Sequence, residues 1–246
     1  MNKIINFIKK ISYSILPLVL FVVSLLLSWY LNQVITNGTQ PGDWHYGTTW
    51  PHTALDDKIP LVPAFVYIYY LTFPAGLFTF FYLAYKNKTK LYNIFLTLVV
   101  SFLISGIIYF FFQSRFVKPD FTPDSFTDKL VVWTWNASHP TNVFPSQHCY
   151  MGLACCLACI DTKEMHWSYR IIGTIIGILV CMSTVFTKQH YWIDFVASFA
   201  IMVPTFFVVK YCKLGKKAEQ KFDNFYAKTY QIYLNRKNKK DKTPKN

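Results

Sequence analysis

The sequence predicts an all-α polytopic membrane helical bundle with about six transmembrane helices. Hydrophobic residues make up 53% of the 246 residues and charged residues only 15%, where a water-soluble chain carries about a quarter charged. Several apolar runs approach the roughly 20 residues that cross a bilayer core. The runs are continuous, whereas membrane strands alternate, so a β-barrel is disfavoured. The length allows one or two domains. The spans favour one bundle over residues 1–212, followed by a basic tail over 213–246.

The first run, 11–31, follows Lys3, Lys9 and Lys10. It is long and no small-x-small cleavage site follows its core, so it reads as a retained helix and not a signal peptide. The next runs are 61–85, 91–112, 144–160, 171–186 and 192–211. Polar residues interrupt the fourth, and the fifth is short. Six spans put both termini on one side. On that side fall 20 of the 25 Lys and Arg; only Lys58, Arg115, Lys118, Lys129 and Lys188 fall on the other. The positive-inside bias then places both termini in the cytoplasm, as expected of a multi-pass plasma-membrane protein.

Two longer loops, 32–60 and 114–143, therefore face outward. They carry Trp44, Trp50, Trp133 and Trp135, a residue enriched at the headgroup level. The net charge of +13 raises nucleic acid as a partner. The charge is concentrated in the tail, which ends KKDKTPKN, so anionic lipid explains it better and no nucleic acid is expected. Within the tail, 218–234 has spaced aromatics suited to an interfacial helix. Of the six cysteines, Cys155, Cys156, Cys159 and Cys181 lie well inside apolar runs. They read as small core residues, neither a disulfide framework nor a metal site.

Ionisable residues beside membrane helices are costly and point to function. One group, 142–148, ends Pro145-Ser146-Gln147-His148 at the outer entrance to the fourth span. A second, 183–194, contains Lys188, His190 and Asp194 between the fifth and sixth spans. Arg115 and Lys118 follow the third span at the same face. Two histidines supply a nucleophile and a general acid. His190 and Asp194 are four apart, so on a helix the carboxylate orients the imidazole. Pro145 and Ser146 suit the start of a helix, whose free N–H groups attract phosphate. Arg115, Lys118 and Lys188 offer charge to phosphate oxygens. Singly, each group has a plain structural explanation as a cap, a helix-surface pair or a snorkelling cation. Their convergence on one face favours a site.

Pro145-Ser146-Gln147-His148 and Ser183-Thr184-x5-His190-x3-Asp194 resemble the second and third motifs of the type 2 phosphatidic acid phosphatase superfamily. In those motifs Gln147 stands for Gly and Thr184 for Arg. Lys118-Pro119 resembles the end of the first motif, with Lys for Arg; its leading Lys falls on Phe111, and Arg115 offers a shifted charge. The resemblance implies that His190 attacks phosphorus, Asp194 orients it, and His148 protonates the leaving oxygen. It also implies that Ser146 and the nearby backbone at Gln147 bind phosphate and that no metal is required; no cofactor is expected. The expected substrate is a phospholipid or isoprenyl phosphate. The Gln147 and Thr184 replacements resemble the branch containing inositol phosphorylceramide synthases, so transfer to an alcohol stands beside hydrolysis. A non-catalytic lipid-phosphate binder is the reading from another class.

Overall fold

The computed structural model describes residues 52–241, apart from 113 and 138–140, and four positions near the start, Val19, Val22, Val23 and Leu26; side chains at 230 and 232–241 are excluded. The expected span 11–31 thus lies almost wholly outside the described residues, as do Trp44 and Trp50. The described residues form nine helices: α1 (Ala54–Lys58), α2 (Phe65–Tyr70), α3 (Thr72–Lys86), α4 (Lys88–Phe111), α5 (Phe126–Ala137), α6 (Gln147–Asp161), α7 (Trp167–Phe186), α8 (Trp192–Tyr211) and α9 (Leu214–Asp241). Among them there is no strand, only an isolated antiparallel bridge between Arg115 and Thr141.

Four stretches are long and apolar enough to cross a membrane: Phe65–Lys86, Lys88–Phe111, Trp167–Phe186 and Trp192–Tyr211. They coincide with the runs at 61–85, 91–112, 171–186 and 192–211. The first stretch is broken at Leu71. Pro74 has no N–H to give the Tyr70 carbonyl, and its ring crowds that oxygen; Thr72 Oγ1 instead closes the break on the Tyr69 carbonyl at 2.6 Å.

The run at 144–160 differs from expectation. Its helix, α6, starts at Gln147 and has 15 residues, so it is about 22 Å long against a core of roughly 30 Å. Pro145 and Ser146 set the start: Ser146 is the N-cap, and its hydroxyl accepts from the Cys149 N–H at 3.3 Å. This short helix is the hub of the bundle, with Cys149, Tyr150, Ala154 and Cys159 fully shielded. It packs on α7 almost backbone to backbone. A Cβ added at Gly177 would lie 2.5 Å from the Gly152 carbonyl oxygen, and one at Gly152 would lie 2.6 Å from that of Gly177. Small residues allow this approach, which suits helices that meet without a hydrophobic driving force.

The helix expected over 218–234 is longer than that segment. Helix α9 has 28 residues and docks on the start of α4. Lys88 pairs with Asp223, Thr89 bonds Glu219, and Tyr92 stacks on Phe222 at 5.5 Å. Trp135 also departs from expectation. It is buried, and its indole N–H donates to the Thr187 carbonyl at 2.8 Å, which ties α5 to the end of α7; Trp133 is 60% exposed.

Candidate active site

The end of α7, the start of α8 and the start of α6 meet at one end of the bundle. Three N–H groups shape the turn between α7 and α8. Gln189 and His190 both donate to the Thr184 carbonyl at 3.0 Å, and Lys188 to that of Val185 at 3.1 Å. Lys188 holds φ 52° at the bend. This turn presents His190 toward the loop before α6.

There His190 Nδ1 lies 3.0 Å from the Val143 carbonyl oxygen and 3.1 Å from Asp194 Oδ2. A carbonyl oxygen can only accept, so Nδ1 carries the proton and Nε2 keeps its lone pair. Asp194 is also the third residue of α8. The same Oδ2 accepts the Tyr191 N–H at 2.9 Å, so one buried carboxylate caps the helix and orients the imidazole. Burial, with the Lys118 charge adding to it, pushes His190 down to about 3. The ring is therefore neutral across the physiological range.

His148, in the first turn of α6, has its ring centroid 5.8 Å from that of His190. Its Nε2 is 2.8 Å from the Tyr69 hydroxyl of α2. The loop ahead of α6 is held on several sides. Tyr109 donates to the Pro145 carbonyl at 2.6 Å, Ser114 Oγ accepts the Phe144 N–H at 3.0 Å, and Ser198 donates to the Ser146 carbonyl at 3.0 Å.

Lys118 reaches the same end from the segment after α4. Its ammonium donates to the Lys188 carbonyl at 3.2 Å and to Gln189 Oε1 at 3.1 Å, and it sits over the rings of Phe116 and Trp135. Burial pushes it down to about 7. A cavity of about 650 Å³ joins Lys118 to His190, Lys188, Tyr191 and His52.

The predicted site residues therefore divide. His190, Asp194, His148 and Lys118 come together, and Ser146 and Gln147 lie at the adjoining helix start. Lys188 borders the cavity, but its ammonium is spread over the carbonyls of Asp56 at 2.9 Å and Ile59 at 2.5 Å. Arg115 bridges Thr141 through its backbone and is not among the residues lining the cavity. Thr184, the residue in place of the motif Arg, is fully buried and donates to the Cys181 carbonyl at 2.8 Å. Two contributors escaped the sequence reading. Tyr69 is hidden in an aromatic run. Asp56 accepts the Trp192 N–H at 2.9 Å and so holds α1 against the start of α8; a Thr-x-x-Asp capping box at Thr53 is the trace it leaves in the sequence.

A family model described as the PAP2 superfamily matches residues 42–208, which include both histidines, Asp194 and Lys118. The chain belongs to the PAP2 superfamily. No curated protein and no solved structure matches it. PAP2 membership brings phosphatase or phosphotransferase chemistry on lipid phosphates, and the four apolar helices agree with a membrane setting.

Proposed function

We propose that the protein is a lipid-phosphate phosphatase that works through a phosphohistidine on His190. Its substrate is an isoprenyl diphosphate or phosphatidate-type lipid, and its site faces outward from the plasma membrane. The observation that carries this reading is the fixed tautomer of His190. With Nδ1 held by Val143 and Asp194, the Nε2 lone pair attacks phosphorus. As the N–P bond forms, the P–O bond to the lipid breaks and its electron pair stays on the leaving oxygen, which takes a proton from His148. Burial holds that ring at about 3 in the free protein, so it gains the proton only as the phosphate anion binds beside it. Water then gives a proton to His148, its oxygen attacks phosphorus, and the N–P bond breaks to release phosphate. Asp194 stabilises the cationic imidazole of the intermediate.

Phosphate oxygens are held by Lys118 and by the start of α6 at Ser146 and Gln147, where the helix dipole favours an anion. That first turn carries no acidic residue. Lys188 and Arg115 add positive field without direct contact. A second reading, transfer to an alcohol, is favoured by the cavity beside His190. Its volume of about 650 Å³ exceeds what a water nucleophile needs, and its wall includes the carboxylates of Asp57 and Asp120, which accept hydrogen bonds from hydroxyls.

The test uses purified protein, phosphate-labelled lipids and His190→Ala as control, with and without added alcohols. Free phosphate that depends on His190 supports hydrolysis, and label on the alcohol supports transfer. Full turnover by His190→Ala would overturn the nucleophile. For orientation, Cys212, the exposed cysteine among the described residues, is first replaced by Ser. An impermeant thiol reagent should then label Ala137→Cys, an exposed position near Asn142, in intact cells but not Lys86→Cys, an exposed position near Lys88; the reverse pattern would invert the topology.

A further inference from the structure

We propose that Tyr69 is the positioning residue of the acid–base histidine, holding His148 in both of its protonation states. The inference rests on the reading of His148 given above. Tyr69 is 8% exposed. Its hydroxyl lies 2.8 Å from His148 Nε2, and its ring lies against the imidazole with centroids 4.7 Å apart and planes tilted by 33°. Phe73 meets the same imidazole edge-on at 6.2 Å, and Tyr70 packs edge-on against Tyr69 at 5.9 Å. The break at Leu71, closed by Thr72 on the Tyr69 carbonyl, fixes the backbone that aims this hydroxyl. Tyr69 thus grips the ring twice, by a hydrogen bond at one nitrogen and by a face.

The two histidines have chemically different partners, and their tasks differ in the same way. A carboxylate only accepts, so Asp194 keeps the proton on His190 Nδ1 throughout the cycle. A phenol hydroxyl donates to a bare ring nitrogen and accepts from a protonated one. His148 Nε2 is taken by Tyr69, so the proton passes through Nδ1. The imidazolium gives it to the leaving oxygen and Nδ1 regains one from water, while Nε2–H stays on the Tyr69 oxygen. In the resting neutral ring the hydroxyl can donate to a bare Nε2 instead. Tyr69 thus keeps its bond without locking the imidazolium, which a carboxylate would stabilise and make a poorer acid.

The test exploits leaving-group chemistry. Tyr69→Phe keeps the ring face and removes the hydroxyl. It is assayed on two soluble phosphate monoesters of matched size, an alkyl phosphate that needs a proton on its leaving oxygen and a nitrophenyl phosphate that needs it far less. Expected is a loss of about tenfold or more in kcat/KM on the alkyl ester, part of the 10²–10⁴ typical of general acid catalysis, and a much smaller loss on the aryl ester. An equal loss on both esters, or none, would overturn the inference. Should Tyr69→Phe fail to fold, 3-fluorotyrosine at position 69 preserves shape and makes the hydroxyl more acidic. The alkyl-to-aryl ratio should then shift, and an unmoved ratio would count equally against it. His148→Ala separates the two levels. If alkyl ester turnover survives that variant, the acid–base reading of His148 fails; if His148→Ala is inactive and Tyr69→Phe behaves as wild type, only the role of Tyr69 fails.

Discussion

The two ends of the bundle treat their cations in opposite ways. At the end away from the histidines, lysines meet carboxylates: Lys90 and Lys210 share Asp161, and Lys88 pairs with Asp223. At the histidine end, the ammonium of Lys118 donates to a carbonyl and an amide oxygen, and that of Lys188 to two carbonyls. Neutral oxygens fix a cation without cancelling its charge. One end therefore uses charge to join α4, α6, α8 and α9, while the other holds its two ammoniums on neutral oxygens, and in the proposed function Lys118 turns that charge to phosphate. The helix starts show the same contrast at shorter range. Asp194 and Asp56 cap the start of α8 with carboxylates, whereas a neutral serine hydroxyl caps α6 and leaves the positive end of its dipole without an acidic cap.

The largest effect should come from Asp194. Asp194→Asn keeps an oxygen for the Tyr191 N–H but removes the charge that orients His190. A drop in turnover of about 10⁴-fold is expected, by analogy with the aspartate of a serine-protease triad. It is read as phosphate release per folded molecule, with thermal unfolding as the check on folding. Near-normal turnover would reduce Asp194 to a helix cap. Next comes Lys118→Ala, expected to lower kcat/KM roughly 100-fold, as for loss of one preorganised charge donor, with little change in unfolding temperature. A loss confined to stability would place Lys118 with the structural lysines and erase the contrast between the ends.

Much of this arrangement was legible in the sequence, for stated reasons. Continuous apolar runs are what a lipid-facing helix requires, so the four stretches long and apolar enough to cross a membrane were found near their helical limits. The His190–Asp194 pair was legible because its partners are only four residues apart, although His190 lies in the bend before α8 and only Asp194 is on the helix. What failed to show was long-range or set by backbone detail. The 2.8 Å contact from Tyr69 to His148 joins residues 79 apart, and nothing local separates Tyr69 from Tyr67 or Tyr70. Lys188 looked like a phosphate ligand because its position beside His190 is visible while its φ of 52° is not. Its ammonium instead rests on carbonyls of the α1 segment. Trp135 has the composition of a headgroup anchor, and only the fold reveals that its N–H is needed by the Thr187 carbonyl.

A smaller effect tests the other end of the comparison. Asp161 sits between Lys90 and Lys210, and its substitution leaves two cations facing each other. Asp161→Asn should cost about 1 kcal/mol, the low end of the penalty for an unpaired partner because all three side chains are only partly buried, read as a lower denaturation midpoint. Activity per folded molecule should hold. A selective loss of kcat with unchanged stability would mean that the two ends are coupled in catalysis.

The finest test is pH. Burial lowers Lys118 to about 7, so in the free protein its charge is present below that value and is lost as pH rises through it. A phosphomonoester is already dianionic above about pH 6, so a fall in kcat/KM above 7 belongs to the protein. Between pH 6.5 and 7.5 the charged fraction, and with it kcat/KM, should drop roughly threefold. Bound phosphate stabilises the ammonium and raises its pKa, so the corresponding limb in kcat should lie at higher pH. His190, at about 3, adds no acid limb in this range. Lys118→Arg should flatten the kcat/KM profile, because a guanidinium keeps its charge throughout. A limb that persists in that variant would move the titration to another group and leave Lys118 charged at all working pH.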